Sequence, residues 1–224
     1  LLMLHSKGGP GALRAQDIDF LRALADLASL AIHHARLFES TRDAACLDGL
    51  TGLLNHGAFT TAAEERIAQT LKEGHPLSIL MLDADHFKVC NDTHGHPFGD
   101  KVLVALARTL KAQVRPTDLV GRWGGEEFVV VLPEADMEMA FGVAERVRRA
   151  MSSMRLPAPG GLKVPAPTVS IGVASLEAGG KGFAELLQAS DTALYCAKRA
   201  GRNRTLRFDP TKPIPEESLP EAES

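Results

Sequence analysis

The chain of 224 residues contains three cysteines, one tryptophan and one tyrosine. Cys46, Cys90 and Cys196 are few, odd in number and without a CxxC spacing. They support neither a disulfide framework nor a zinc site, and read as reduced thiols of a cytoplasmic protein. No run of roughly 18 apolar residues is present, so no membrane-spanning helix is encoded. Excess charge of one sign is also missing: 25 Lys and Arg stand against 28 Asp and Glu, a net charge of -3. A chain so nearly neutral is a poor general binder of duplex nucleic acid, although local basic pockets remain open to it. Signal-peptide features are absent, and a first residue of Leu rather than Met reads as a fragment of a longer chain. No internal repeat stands out. The composition, 45% hydrophobic and 24% charged, excludes global disorder. The length suits one domain plus something smaller.

Three parts follow from the patterning: residues 1–46, 47–208 and 209–224. Leu1 to Ser6 is a short apolar strand-like piece before a Gly-Gly-Pro-Gly cluster. From Asp17, apolar residues recur at spacings of three and four through Ile18, Leu21, Leu24, Leu27, Ala31, Ala35 and Phe38. This predicts a long helix reaching about Ala45. The tail from Asp209 is rich in Pro and Glu and poor in apolar residues, and is expected to be disordered.

The middle part alternates strands and helices. Leu77–Leu82 suits a buried strand, and Phe98–Val114 repeats apolar residues at helical spacing. Asp118–Trp123 and Glu126–Leu132 read as strands joined by Gly124-Gly125, a two-residue hairpin signal because both turn positions tolerate positive φ. Asp136–Ser153 reads as a helix, Thr168–Ser175 as a strand and Phe183–Arg199 as a helix stopped by Gly201. Arg204–Phe208 can close the sheet. The expectation is an α/β fold with a mixed central sheet flanked by helices, preceded by an N-terminal helical stalk.

Chemistry-bearing residues gather in four places. Asp83 ends a buried strand, where a carboxylate is costly unless it is paired or holds a metal; the plainer reading has Asp83 or Asp85 capping the next helix. Glu126 and Glu127 sit at the hairpin mouth. Strand alternation lets only one of them share a face with Asp83. Asp83 and one glutamate would suit a hard cation such as Mg²⁺ if their strands are adjacent; otherwise the glutamates are ordinary hairpin polarity. In the third place, Asn91 to Asp100, Pro97 suits the first position of a helix. Asp100 then lies in its first turn, with Asn91 in the preceding loop. An Asp carboxylate can accept two hydrogen bonds from the N–H edge of guanine. His86, His94 and His96 suit loop and cap roles better than a metal set. The fourth place, Ala197 to Arg204, carries Lys198 and Arg202. These either complement a helix dipole or clamp a polyphosphate.

Taken together and in this order, these residues resemble the GGDEF family of diguanylate cyclases over about Asp48 to Phe208. The matching stretches are Asp48-Gly-Leu-Thr-Gly-Leu-Leu-Asn55, Leu82 to Lys88, Asn91-Asp92, Gly95-His96, Gly99-Asp100, Gly124-Gly-Glu-Glu-Phe128, Ala193 to Lys198 and Gly201-Arg-Asn203. The resemblance implies a fold like the palm of class III nucleotide cyclases and polymerases. It implies that Asp83, the backbone carbonyl of Ala84 and Glu126 bind Mg²⁺, or Mn²⁺ in its place. Glu126 would also be the base for the GTP 3′-OH, with Glu127 a second acidic group nearby. Asn91 and Asp100 would read guanine, and Phe87, Lys88, Lys198 and Arg202 would line the phosphate path. Two GTP would become cyclic di-GMP and two pyrophosphates, in a homodimer, since each domain holds one GTP. Nucleic acid and membrane are not expected as partners of this fragment.

The resemblance extends to Arg115 and Asp118, an Arg-x-x-Asp separated by five residues from the Gly-Gly. It implies a site for cyclic di-GMP as inhibitor, with Arg146 as a secondary contact; a solvated Arg–Asp pair is the plainer alternative. Residues 1 to about 40 resemble the last strand and helix of a GAF sensor domain. The apolar stripe of that helix needs a partner, and a second copy of itself would serve. Two departures stand out: His56-Gly57 where the family usually has Arg after the Asn, and Cys90 in place of an aliphatic. A receptor that binds GTP or cyclic di-GMP without turnover is the alternative function. The intact Asp83, Glu126, Asn91 and Asp100 argue against it.

Overall fold

A computed structural model describes residues 46–176 and 182–211, with residues 24, 25, 27 and 29 in helical conformation. The chain divides into two units, 1–45 and 46–224. The expected N-terminal strand, the GAF-like segment, nearly all of the stalk and the tail beyond residue 211 lie outside the described residues. Described Leu24 and Leu27 are exposed.

Unit 46–224 begins with a turn through Asp48-Gly-Leu-Thr. The Asp48 carboxylate accepts from the Thr51 N–H and hydroxyl. Asn55 then caps helix α1 (His56–Glu73), its side chain accepting from Ala58 N–H. Strand β1 (Leu77–Ala84) follows, every residue buried. Helices α2 (Phe87–His94) and α3 (His96–Gln113) meet at Gly95. Next come β2 (Leu119–Gly124), β3 (Glu127–Pro133), α4 (Met137–Ser153), the small hairpin β4 (Arg155–Pro157) and β5 (Lys163–Pro165), β6 (Val169–Leu176), α5 (Phe183–Arg199) and β7 (Thr205–Arg207).

The main sheet has the order β2-β3-β1-β6-β7. It is antiparallel except for β6 with β7, so the sheet is mixed. Strand β1 is central, which explains a continuous apolar run instead of an alternating one: both of its faces are covered. Leu77, Ile79 and Met81 join Val129 and Val131 in a core with Phe59, Ala63 and Ile67 of α1 and Leu186 and Leu194 of α5. Leu80, Leu82 and Ala84 join Phe128 and Val130 in a second core with α3 and α4. Period-two alternation assigns each side chain to one layer.

The expected α/β architecture is observed; besides the unanticipated β4–β5 hairpin, it shows three local differences. Helix α1 and the short α2 were not anticipated. Their apolar residues are sparse: four of the 18 in α1 are buried, and only Phe87 in α2. Asn91 consequently lies within α2 and not in a loop. The third difference is the hairpin turn. Gly124 pairs with Glu127, so the turn residues are Gly125 and Glu126 instead of Gly124 and Gly125. A bulge between Arg122 and Gly124 takes up Trp123. Only Gly125 needs a positive φ, at 41°.

Candidate active site

The register of β1 against β3 decides the geometry at the end of the sheet. Asp83, the penultimate residue of β1, lies directly across from Glu127, the first residue of β3. Ala84 N–H donates to the Glu126 carbonyl at 3.3 Å. The Asp83–Glu127 pair is therefore a non-hydrogen-bonded pair, the kind in which opposing side chains come closest. Like charges placed so are destabilising. Lys198, in the last turn of α5, offsets them with its Nζ 2.8 Å from an Asp83 carboxylate oxygen. Glu127 thus shares the face of Asp83, while Glu126 occupies the turn beside it.

The electrostatics follow from this crowding. Burial pushes the Asp83 carboxyl above its usual range, against the hydrogen bond and charge of Lys198 and the charge of Arg202. Burial also raises Glu126 and Glu127, and the charge of Asp83 raises both further. Glu127 additionally feels Asp191 of α5. A site of this kind is short of positive charge.

The hairpin is braced from behind. Arg122 donates from Nε and Nη2 to the Gly125 carbonyl at 3.0 and 2.7 Å. Its Nη1 lies 3.1 and 3.0 Å from the two Asp48 oxygens. Burial raises the Asp48 carboxyl, but bonds from Thr51 and Arg122 outweigh that and bring it below the usual range. Sequence reasoning gave Asp48 no role beyond its motif and passed over Arg122. An Arg two residues before Gly-Gly was the available signal.

Asp85 adds its charge to the crowding, raising the Asp83 carboxyl further, but its own oxygens are satisfied. It is 3% exposed, and its oxygens accept from Thr168 Oγ1, Ser170 Oγ and Asn203 N–H at 2.6, 2.6 and 3.0 Å. This is a structural tie, but it is not the helix cap considered from sequence. His86, the residue before α2, makes no side-chain cap either.

The α2–α3 elbow holds the next group. Asn91 Oδ1 is buried and lacks a hydrogen-bond partner. It lies against Gly99 so closely that a Cβ there would sit 1.9 Å from it. Asp100, the next residue, is exposed just past the first turn of α3 and not within it as expected, because the helix begins at His96 and its first turn holds no acidic residue. The elbow thus brings together an unsatisfied amide oxygen and a free-standing carboxylate. Phe87 is buried beneath, its ring also near Gly99, and Lys88 is exposed on α2. Arg202 is exposed in the loop after α5, in a left-handed conformation at φ 60°.

Arg115 and Asp118 form a tight turn between α3 and β2. The Asp118 carboxylate accepts from the Arg115 backbone N–H at 2.7 Å, and Asp118 N–H returns to the Arg115 carbonyl at 3.1 Å. The turn lines a cavity of about 210 Å³ together with Gln113, Pro133, Met139 and Arg146. Arg146 Nε donates to Gln113 Oε1 at 3.0 Å. The three residues singled out from sequence thus share one depression. A larger hollow of about 400 Å³, lined by Leu47, Leu53, Lys111 and Leu119, flanks the same turn.

Among the described residues, no helix is long and apolar enough to cross a membrane.

Comparison with known proteins agrees with this geometry. A family model described as diguanylate cyclase, GGDEF domain, matches residues 45–204. Diguanylate cyclase DgcM of Escherichia coli K12 is 44% identical over 171 residues, covering 76% of this chain and 40% of that protein. Diguanylate cyclase DosC of the same strain is 39% identical over 193 residues, 85% of this chain and 42% of that protein. The chain therefore spans less than half the length of these relatives. Among solved structures, the coiled coil and GGDEF domain of DgcB from Caulobacter crescentus, in complex with c-di-GMP, superposes with a TM-score of 0.80 at 31% identity. It covers 84% of this chain and 98% of that one. The active GGEEF domain of a diguanylate cyclase from Vibrio cholerae gives a TM-score of 0.65 at 34% identity, covering 71% and 99%. From its fold, its Gly-Gly-Glu-Glu-Phe hairpin and these likenesses, the chain belongs to the GGDEF-domain family of diguanylate cyclases.

Proposed function

We propose that this chain condenses two GTP into cyclic di-GMP and two pyrophosphates, as a homodimer that needs a divalent cation, Mg²⁺ or Mn²⁺. The observation that carries the reading is the carboxylate cluster of Asp83, Glu126 and Glu127 at the end of the central strands, with Lys198 beside it.

The residues present fit a divalent cation by their chemistry. Among the described residues no three acidic, His or Cys side chains already form a metal group. A hard cation with phosphate oxygens and water completing its shell needs only one or two carboxylates from the protein. Asp83, Glu126 and the Ala84 carbonyl would hold it; burial raises both carboxyls, the charge of Asp83 raises Glu126 further, and a cation would relieve both effects. When bound, the ion neutralises phosphate charge and polarises the α-phosphate.

The protein's own part is positioning. Asn91 and Asp100 take the guanine: the unpartnered Asn91 Oδ1 and the exposed Asp100 carboxylate both suit its N–H edge. Lys198, Lys88 and Arg202 are cations for the triphosphate, with Phe87 packed beneath. Glu126 takes the proton of the attacking 3′-OH, a role that its raised pKa favours. Glu127 keeps a second negative charge at the site. Each domain holds one GTP, so catalysis brings two domains face to face. Cyclic di-GMP in turn occupies the Arg115, Asp118 and Arg146 depression as an inhibitor. The upstream residues 1–46 form the end of a GAF-like sensor and a signalling helix. The protein acts in the cytoplasm.

Incubation with GTP and Mg²⁺, with chromatography of the products, tests the reading. Cyclic di-GMP and pyrophosphate are expected. Binding of GTP with no product at any enzyme concentration would establish the receptor alternative instead.

A further inference from the structure

The loop after α5 is more constrained than its surface position requires. Gly201, Arg202 and Asn203 are three successive residues at positive φ, 111°, 60° and 45°. Two of them are not glycine, and such backbone persists only where its surroundings over-determine it. The helix end supplies part of the constraint. Gly201 N–H donates to the Lys198 carbonyl and Arg202 N–H to the Ala197 carbonyl, the paired bonds of a Schellman motif. That motif accounts for Gly201. It does not account for Asn203.

Asn203 is gripped from two sides. Its N–H donates to the buried Asp85 carboxylate at 3.0 Å, at the end of the strand that carries Asp83. Its Oδ1 accepts from Arg148 Nη1 of α4 at 2.9 Å. Arg148 is itself locked, donating from Nε and Nη2 to both oxygens of Glu145 at 2.8 and 3.0 Å. Glu145 also accepts from Thr205 Oγ1, just beyond the loop, at 2.7 Å. A bidentate Arg–carboxylate pair is directional as well as strong.

The residue held between the helix end and these two grips is Arg202. We propose that Asp85 and the Glu145–Arg148 pair are positioning residues: through Asn203 they fix the backbone of Arg202 so that its guanidinium meets the triphosphate of GTP. This rests on the reading of Arg202 as a phosphate contact given above. A held cation meets the phosphates without first giving up conformational freedom, so the gain appears as substrate affinity.

A double-mutant cycle separates this role from a merely structural one. Arg148→Ala, which leaves the Asp85 tie in place, should raise KM for GTP about tenfold while kcat stays within about twofold. In an Arg202→Ala background the same change should add nothing. Asn203→Gly keeps the left-handed backbone and the N–H to Asp85 but removes the Oδ1 contact, leaving Arg148 only its longer 3.4 Å bond to the residue 203 carbonyl, and should reproduce most of the Arg148→Ala effect if that variant folds poorly. An undiminished effect of either change in the Arg202→Ala background, or parent KM in both single variants, overturns the positioning role alone. Parent KM in Arg202→Ala itself overturns the phosphate role of Arg202, and the positioning role with it.

Discussion

Asp83 and Asp85 lie two residues apart at one end of β1, and both are buried, at 6% and 3% exposure. Asp85 distributes its oxygens over three donors from β6, its approach and the α5–β7 loop. Asp83 has one, Lys198, and it faces Glu127 across the ladder with Glu126 beside it. The same side chain, at almost the same depth, serves opposite ends. One is satisfied and ties elements together. The other has a single donor and carboxylates for neighbours, the arrangement proposed above to take a cation. Asp118 stands between them: burial raises its carboxyl, its own turn supplies a donor, and it still borders a cavity.

Removing the satisfied carboxylate is the harshest way to probe this contrast. Asp85→Ala strands two hydroxyls and a backbone N–H in the interior, and should cost about 3–5 kcal/mol in denaturant unfolding. The unsatisfied carboxylate should behave in reverse. A carboxyl whose folded pKa is raised holds its proton better folded than unfolded. Ionising it at neutral pH therefore costs stability. Asp83→Asn should leave the thermal midpoint unchanged or higher, while turnover falls about 10²-fold or more, as it should for Glu126→Gln. A stability loss in Asp83→Asn equal to that in Asp85→Ala would erase the distinction. With Glu126 as base, the rate should also fall on acidification at a higher pH than an ordinary glutamate would give, measurable as kcat against pH.

Much of this was legible in the chain and some was not. The buried runs of β1 and β3, α5 and its Gly201 stop are local patterns and appear where expected; the Gly-Gly-Glu-Glu-Phe hairpin is there too, with its turn shifted by one residue. Helices α1 and α2 were missed because a helix with few buried residues leaves a weak periodic signal. Among the site residues, Asp83, Glu126, Lys198 and Arg202 could be named from motifs. Arg122, Arg148 and Glu145 were not named, because the contacts that give them a role reach far along the chain: Arg122 to Asp48, Arg148 to Asn203 and Glu145 to Thr205.

The proposed product site sharpens the intermediate case. Losing one charged member of a desolvated contact costs roughly 2–5 kcal/mol. At that cost Arg115→Ala should weaken inhibition by added cyclic di-GMP about thirtyfold or more, with the initial rate unchanged. Equal inhibition of both proteins would reduce Arg115 and Asp118 to a surface turn.

The smallest expected effect concerns Glu145, another carboxylate on the satisfied side. Its hydrogen bond from Arg148 leads the causes that hold its carboxyl down, at about 2 against an ordinary 4.5. A depressed folded pKa stabilises above the unfolded value, and that contribution fades as pH falls from 4.5 toward 2. Allowing for solvent screening, Glu145→Gln should cost about 1–2 kcal/mol at pH 7. The difference from the parent should close toward pH 2 in unfolding titrations across that range.

The sequence by itself determined the α/β class, the hairpin at the mouth of the site and the identity of the charged residues around it. These depend on periodicity, glycine and short motifs, which act within a few residues. Tertiary structure alone decided which glutamate faces Asp83, because the register of β1 against β3 sets Asp83 opposite Glu127. It also decided that Asp85 has three donors and Asp83 one. The donors that separate them, Thr168, Ser170 and Asn203, are 83, 85 and 118 residues away along the chain from Asp85. A buried carboxylate is structural or chemical according to how many donors the fold brings to it, and no local pattern records that number.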